Sequence, residues 1–322
     1  YNEKMAYIKL KQFGGTAPKI APRLLREELA TTATDVNLES GRLVPVTDNS
    51  DTLTLSNSSR QSIFKYTDSP ERWLQFDEDV NVVRGPIPGD NNDTIYWSGQ
   101  TFPKMGRSAQ IVGGSVYPNA SFRLGIPAPA NAASTSITAG SDDGTQTQYS
   151  TSYVYTFVSA FGEEGPPSPA STVLSKVDGQ TVTISGMDTS TSKSNTNLSK
   201  KRIYRSNTGS NTTEFQFVKE VTLATASTTD NLDNDALAEL IPSTFHIAPP
   251  DDNGTLYPNG KMLGLTAMTN GILAGFTGKR LCFSEPFLPH AWPVAFRITL
   301  EEEIVAIAMT GTGLFVGTKG TP

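Results

Sequence analysis

The chain has 322 residues, 37% of them hydrophobic and only 18% charged, and about a fifth of it is Ser and Thr. At roughly 100–200 residues per domain this is two or three domains, and a charge content below the roughly 25% of ordinary soluble chains, with 27 Gly and 21 Pro, excludes a helical bundle. A net charge of −6 argues against general binding to nucleic acid or an anionic membrane, while one cysteine, Cys282, and two histidines, His246 and His290, exclude a disulfide framework or multi-cysteine zinc site.

The opening, Tyr1-Asn2-Glu3-Lys4-Met5, lacks the apolar core of a signal peptide. Residues 21–30 form the one helical candidate, with apolar Leu24, Leu25 and Leu29 and Pro22 near the start; the alternative is an ordered turn. Beyond it the pattern is of short alternating runs, Asp51-Thr52-Leu53-Thr54-Leu55-Ser56 and Asn92-Asp93-Thr94-Ile95-Tyr96-Trp97-Ser98, broken by Gly85-Pro86, Pro88-Gly89 and Gly113-Gly114. Residues 125–133, Gly-Ile-Pro-Ala-Pro-Ala-Asn-Ala-Ala, read as a semi-rigid connector.

Residues 151–159 alternate as a half-buried strand should. They run into Gly162-Glu163-Glu164-Gly165-Pro166-Pro167-Ser168-Pro169, too rich in proline for a central strand and better suited to a turn onto a sheet edge. Strands follow at residues 180–184, 202–205 and 215–221, with a solvated loop at 189–201 and a turn beginning at Thr229. That number of short strands in so few residues suits a two-sheet sandwich. A second connector spans Pro242 to Pro258, after which strands at 262–268, 271–276, 280–284, 303–308 and 313–317 recur with glycine-centred turns, in the manner of propeller blades. The longest apolar run, Ile304 to Met309, is strand-sized and far short of a bilayer span. Because the chain stops at Thr321-Pro322 directly after a strand, the natural polypeptide is expected to continue. The expected organisation is therefore all-β: an N-terminal part at 1–125, a sandwich at 126–250 and a further propeller-like part at 251–322.

Catalytic raw material is sparse. Cys282, in the apolar run Leu281-Cys282-Phe283, reads as core filling rather than as a nucleophile. His290, between Pro289 and Ala291-Trp292-Pro293, suits packing or a backbone hydrogen bond, and His246 reads as ordinary packing. The acidic groups Asp77-Glu78-Asp79, Asp142-Asp143, Glu163-Glu164, Asp251-Asp252 and Glu301-Glu302-Glu303 read as solvated turns, since adjacent carboxylates cannot face each other across a cleft and none has EF-hand spacing. Ser141-Asp142-Asp143-Gly144 lacks the spacing and tryptophan of a sialidase aspartate turn. Gly271, Gly275 and Gly278 are followed by no P-loop Lys, so they and Gly278-Lys279-Arg280 mark hairpin turns. No catalytic, cofactor-binding or metal-binding residue is assigned, and the chain is expected not to be an enzyme. Tyr96, Trp97 and Trp292 are the aromatics that could face a glycan, with blade packing the preferred reading.

Three sets of motifs carry resemblances. Tyr153–Ala160 with Gly162-Glu163-Glu164 and Pro167-Ser168-Pro169 resembles the last strand pair of fibronectin type III modules, while Arg202-Ile203-Tyr204-Arg205 and Thr228-Thr229-Asp230 resemble that family's earlier pieces, here in later positions. Lys11-Gln12-Phe13-Gly14-Gly15-Thr16, Leu24-Leu25, the run from Ala33 to Asn37 and Gly41-Arg42-Leu43-Val44-Pro45 resemble the opening of bacteriophage tail nozzle proteins, the tubular tail protein B type. Gly271–Phe276, Ser284-Glu285-Pro286 with Pro289-His290-Ala291-Trp292-Pro293, and the runs 303–307 and 314–322 are similar to phage virion proteins of the same propeller-bearing type. The resemblance implies a structural virion protein of the tail: a homo-oligomeric ring, a hexamer, contacting tail adaptor and fibre proteins, with DNA passing through its lumen without specific binding. It also leaves room for contact with the host cell envelope. Receptor or glycan binding at the host surface and a neck or head-closure ring are the alternatives.

Overall fold

The computed structural model describes residues 11–38, 40–46, 53–208 and 213–320. The chain is all-β, built of short strands in several small sheets, with one four-residue α-helix among the described residues, at Ser108–Ile111. It divides into two compact units, Tyr1–Thr54 and Leu55–Pro322.

In the first unit Gly15–Thr16 pairs in parallel with Leu29–Ala30, and Val36–Asn37 pairs antiparallel with Val44–Pro45. The expected helix over 21–30 is absent. Only Pro22–Leu24 forms a single 3-10 turn, and Leu25 is already extended, with ψ of 138°. Three apolar side chains in ten residues do not offset the cost of nucleating so short a helix, and pairing with Gly15–Thr16 takes Leu29 and Ala30 into a strand. The alternation expected from 51 to 56 forms no strand at 53–56, where Ser56 instead donates to the Gln75 side chain; residues 51 and 52 lie outside the described residues.

The second unit contains two four-stranded antiparallel meanders. The first runs through Asn81–Arg84, Ile95–Ser98, Lys104–Gly106 and Phe122–Arg123, the second through Leu263–Ala267, Leu273–Thr277, Arg280–Phe283 and Arg297–Thr299. They share one core: Tyr96, Met105 and Leu124 from the first pack with Met262, Leu265, Leu273, Cys282 and Trp292 from the second. The hairpin Ser62–Asp68/Glu71–Phe76 joins the first meander through Tyr66, Leu74, Phe76, Ile95 and Trp97. The hairpin Ile304–Thr310/Gly313–Thr318 joins the second through Phe276, Leu281 and Ile304.

Between the meanders, the chain from Ile126 onward builds a separate core from two sheets. Ser134–Ala139, Thr181–Ser185 and Thr228–Asp230 form one sheet; Glu164–Pro167, Tyr153–Ser159, Leu198–Thr208 and Thr213–Thr222 form the other. Val182 and Ile184 from the first meet Tyr153, Tyr155, Phe157, Ile203 and Val218 from the second. Glu164–Pro167 is an edge strand, as its prolines require.

Three local expectations are corrected. Every residue of Tyr153–Ser159 is buried, not every other one, because the outward-facing row carrying Thr156 is covered by Glu164, which accepts a hydrogen bond from Thr156 Oγ1 at 2.6 Å. The supposed solvated loop at 189–201 ends in the strand that begins at Leu198, and Lys201 is buried, donating from Nζ to the carbonyls of Asp188 (2.8 Å) and Thr225 (2.6 Å). Thr228–Asp230 is a strand rather than a turn, paired with residues 182–184.

Candidate functional site

Two concavities lie between the 126–247 excursion and the flanking segments, the larger at the point where the excursion leaves and rejoins them. The larger, about 710 Å³, is lined by the entry connector (Ile126, Pro127), the loop 188–193, the exit connector (Ile247, Pro249) and the segment around Val294 and Arg297. A cleft of this size at a junction of chain segments falls in the range of ligand sites.

One wall is an ion cluster drawn from three distant parts of the sequence. Arg123, at the end of the first meander, places Nη1 3.1 Å from Asp251 and 3.2 Å from Asp252, and its guanidinium stacks 3.6 Å over the Phe102 ring. Lys193 Nζ reaches the same Asp251 oxygen at 2.6 Å. A buried carboxylate facing two cations is held by their field, and removing it would leave Lys193 without its counter-charge and Arg123 with only the more exposed Asp252. Asp188, also in the lining, accepts from the backbone N–H of Ala130 (2.7 Å) and Asn131 (3.0 Å) and from Asn131 Nδ2 (2.7 Å). Burial acts to raise its pKa, and these hydrogen bonds outweigh it, holding the carboxyl below its ordinary range. Arg297 stands apart: its guanidinium lies 5.6 Å from the Tyr257 ring centroid, and Nε and Nη2 are buried with no hydrogen-bond partner. The cleft thus combines apolar walls, committed carboxylates and one uncommitted guanidinium, an arrangement suited to binding.

The smaller concavity, about 240 Å³, is lined by Asp90, Tyr96, Arg107, Phe161, Glu163 and His290 among others. Burial pushes the Glu163 carboxyl up, opposed by its hydrogen bond from Ser159 Oγ and by Arg107. Arg107 lies 3.8 Å over the Phe161 ring. Ser159 is no free nucleophile beside this carboxyl: it is buried, and its oxygen accepts the N–H of Phe161 (3.1 Å) and of Glu163 (3.2 Å), closing the turn.

The two histidines, 44 positions apart in sequence, meet edge to face with ring centroids 5.9 Å apart. Burial, then the neighbouring His246, pushes His290 down to about 4, against a hydrogen bond to the Glu164 backbone; burial also lowers His246. Both are therefore neutral at pH 7, and sequence spacing carried no signal of the pairing.

Cys282 is buried in the shared core, and burial raises its thiol to about 11. It is expected to resist maleimide in the folded protein and to react only on unfolding, a contrast that intact-mass measurement with and without urea would check; complete labelling of native protein within minutes would contradict it. Tyr96, Trp97 and Trp292 are buried, so none offers an exposed aromatic platform. Gly278 sits at positive φ in the turn between Thr277 and Arg280, the hairpin tip read from sequence. Gly271 lies elsewhere, in a 3-10 turn against the Phe287 ring.

Of the acidic groups, Asp142 and Asp143 do cap an exposed turn, accepting from Gly144 and Thr145 N–H, and Glu301, Glu302 and Glu303 are exposed. Two other pairs overturn the solvated reading. Glu164 is buried and takes hydrogen bonds from Thr156, Tyr204 and Arg202, and Asp251 anchors the cluster described above. Their partners come from strands far off in sequence, which adjacency of two acids does not report. Asp77 is also engaged, 3.0 Å from Arg60. Among the described residues no group of three or more His, Cys, Asp or Glu is arranged to hold a metal ion, and no helix is long and apolar enough to cross a membrane. No protein-family model matches the chain, and no curated protein matches it.

Proposed function

We propose that the protein is a non-enzymatic structural component of a bacteriophage tail, a nozzle or tail-tube ring lining part of the channel for genome ejection. The observation that carries the reading is the single core shared by residues before and after the 126–247 excursion, with Tyr96, Met105 and Leu124 packed on Met262, Leu265 and Trp292. It supports treating the virion-like string Ser284–Pro293 and the first meander as parts of one propeller-like body. The excursion is then an inserted fibronectin III- or Ig-like sandwich at about 126–250, between parts at 1–125 and 251–322. The net charge of −6 fits a lumen along which DNA slides rather than sticks.

Immunogold electron microscopy of purified phage particles, with antibody against residues 130–247, tests this. Gold at the distal tail tip is the expected result, together with peptides of this chain in mass spectra of the same particles. Gold at the neck would make the protein a connector ring instead, and absence of its peptides would remove it from the virion. The host-surface binding alternative draws its support from the 710 Å³ cleft and the uncommitted Arg297; gold along fibres would favour it.

A further inference from the structure

We infer that residues 11–46 of one copy are a docking arm for the hairpin Ile304–Thr310/Gly313–Thr318 of a second copy, an inference that rests on the ring proposed above and names its subunit contact. The first observation is the lack of any buried residue in the described part of the first unit, whose strands are two residues long. A small unit whose described residues bury so little gains stability from association. The side chains that would form a core point outward: Leu24 is 71% exposed, and Ile20, Leu43, Val44 and Val46 are also exposed.

The second observation is a matching face. Ile307, Leu314 and Val316 pack inward on the second meander, whereas Val305 (58%) and Phe315 (61%), with Ala306 and Ala308, remain exposed. Both faces of this two-stranded sheet are therefore apolar, the pattern of strands covered on both sides.

Charge selects the partner. From Lys11 to Arg26 the sequence holds Lys11, Lys19, Arg23 and Arg26 and no acidic residue, with Lys19 beside Ile20 and Arg23 beside Leu24. Residues 1–54 carry seven basic and seven acidic side chains, so the whole −6 of the chain resides in 55–322. Its acidic run Glu301-Glu302-Glu303 immediately precedes the hairpin and is exposed. Glu303 pairs with Lys319, while Glu301 and Glu302 enter no ion pair among the described residues. Arg26 lies 3.9 Å from Glu28, and Glu27 and Asp35 follow in the same arm, so the match rests on the stretch bearing Lys11, Lys19 and Arg23; that cationic stretch fits an apolar hairpin preceded by carboxylates, and both are present in a second copy of this chain.

The test is reciprocal charge reversal in the full chain, read by sedimentation velocity. Lys19→Glu/Arg23→Glu and Glu301→Lys/Glu302→Lys are each expected to weaken self-association at least tenfold, and their combination to recover most of it. Leu24→Asp and Phe315→Ser should each weaken it as well; all these positions are exposed, and an unchanged melting temperature confirms that folding is intact. Wild-type-like assembly of the single-block variants, or no recovery in the combination, overturns the arm while leaving the ring. A wild-type chain that stays monomeric at high concentration overturns both.

Discussion

Replacing Asp230 with alanine is expected to destabilise the 126–247 segment by about 3–5 kcal/mol. The reason is the company that Asp230 keeps. Its side chain is wholly buried and lies 2.7 Å from Arg205 Nη1, itself 1% exposed, and it accepts a hydrogen bond from Tyr153 Oη at 2.8 Å. Arg205 and Tyr153 belong to the four-stranded sheet and Asp230 to the three-stranded one, so the contact staples the two sheets across their core. The same guanidinium donates to the carbonyls of Leu232 (2.9 Å) and Asp233 (3.0 Å), and Lys176 Nζ also donates to Leu232 (2.9 Å). Taking away the carboxylate leaves a buried guanidinium facing carbonyls alone, with no counter-charge.

Differential scanning calorimetry would report the loss as a melting transition lowered by roughly 10 °C or more. The shared core of the flanking meanders contains no residue of the Arg205 network, so a second transition near the wild-type temperature is expected to remain. Pairing Asp230→Leu with Arg205→Met should recover much of the stability, since removing both charges of a buried pair is far less costly than removing one. A lone Asp230→Ala variant that melts with the wild type would show that the staple contributes nothing.

The second large effect is expected at Gly125, where the chain enters the excursion. Gly125 has φ of +86°, and a Cβ there would lie 2.6 Å from the Cβ of Ala248 and 2.8 Å from Cδ of Pro249. Entry and exit connectors run against each other at this point, backbone to backbone, and only a residue without a side chain permits it. Gly125→Ala combines about 1–2 kcal/mol for the left-handed backbone with roughly 1–3 kcal/mol for overpacking. Gly179→Ala is the control: its φ is +80°, but nothing lies within 4 Å of the added methyl, so only the backbone part applies. Chemical denaturation of both variants isolates the close approach as their difference. Limited proteolysis should in addition find the connectors near residues 127 and 248 opened in Gly125→Ala alone. Equal destabilisation of the two variants would mean that the connectors do not depend on this contact.

Much of the strand layout was legible from local chemistry. The runs at 262–284 were read from apolar alternation and glycine turns, and they are the strands Leu263–Ala267, Leu273–Thr277 and Arg280–Phe283. The proline string after Gly162 correctly marked an edge, because a proline has no N–H to give a second neighbour. Buried Cys282 and Trp292 likewise follow from apolar neighbours and from the prolines that fix the loop. Where the reading failed, the missing information was a distant partner. Apolar content suggested a helix at 21–30, and strand pairing with Gly15–Thr16 prevailed.

The candidate site was almost wholly illegible. Asp251 became an anchor because Arg123 and Lys193, 128 and 58 positions away, converge on it. Glu164, Lys201 and Arg205 are charged residues in a polar-looking stretch that tertiary packing carries into the interior.

Composition and periodicity by themselves determined the all-β class, many of the turn positions and the scarcity of cysteine and histidine, because these depend on residue content, on side-chain alternation and on backbone freedom at glycine and proline. Tertiary structure alone decided which acids are buried, that the two histidines meet, and that chain on either side of residues 126–247 builds one core. Those outcomes are set by pairings between residues tens to more than a hundred positions apart, and the free energy of a buried charge depends on the partner it finds there.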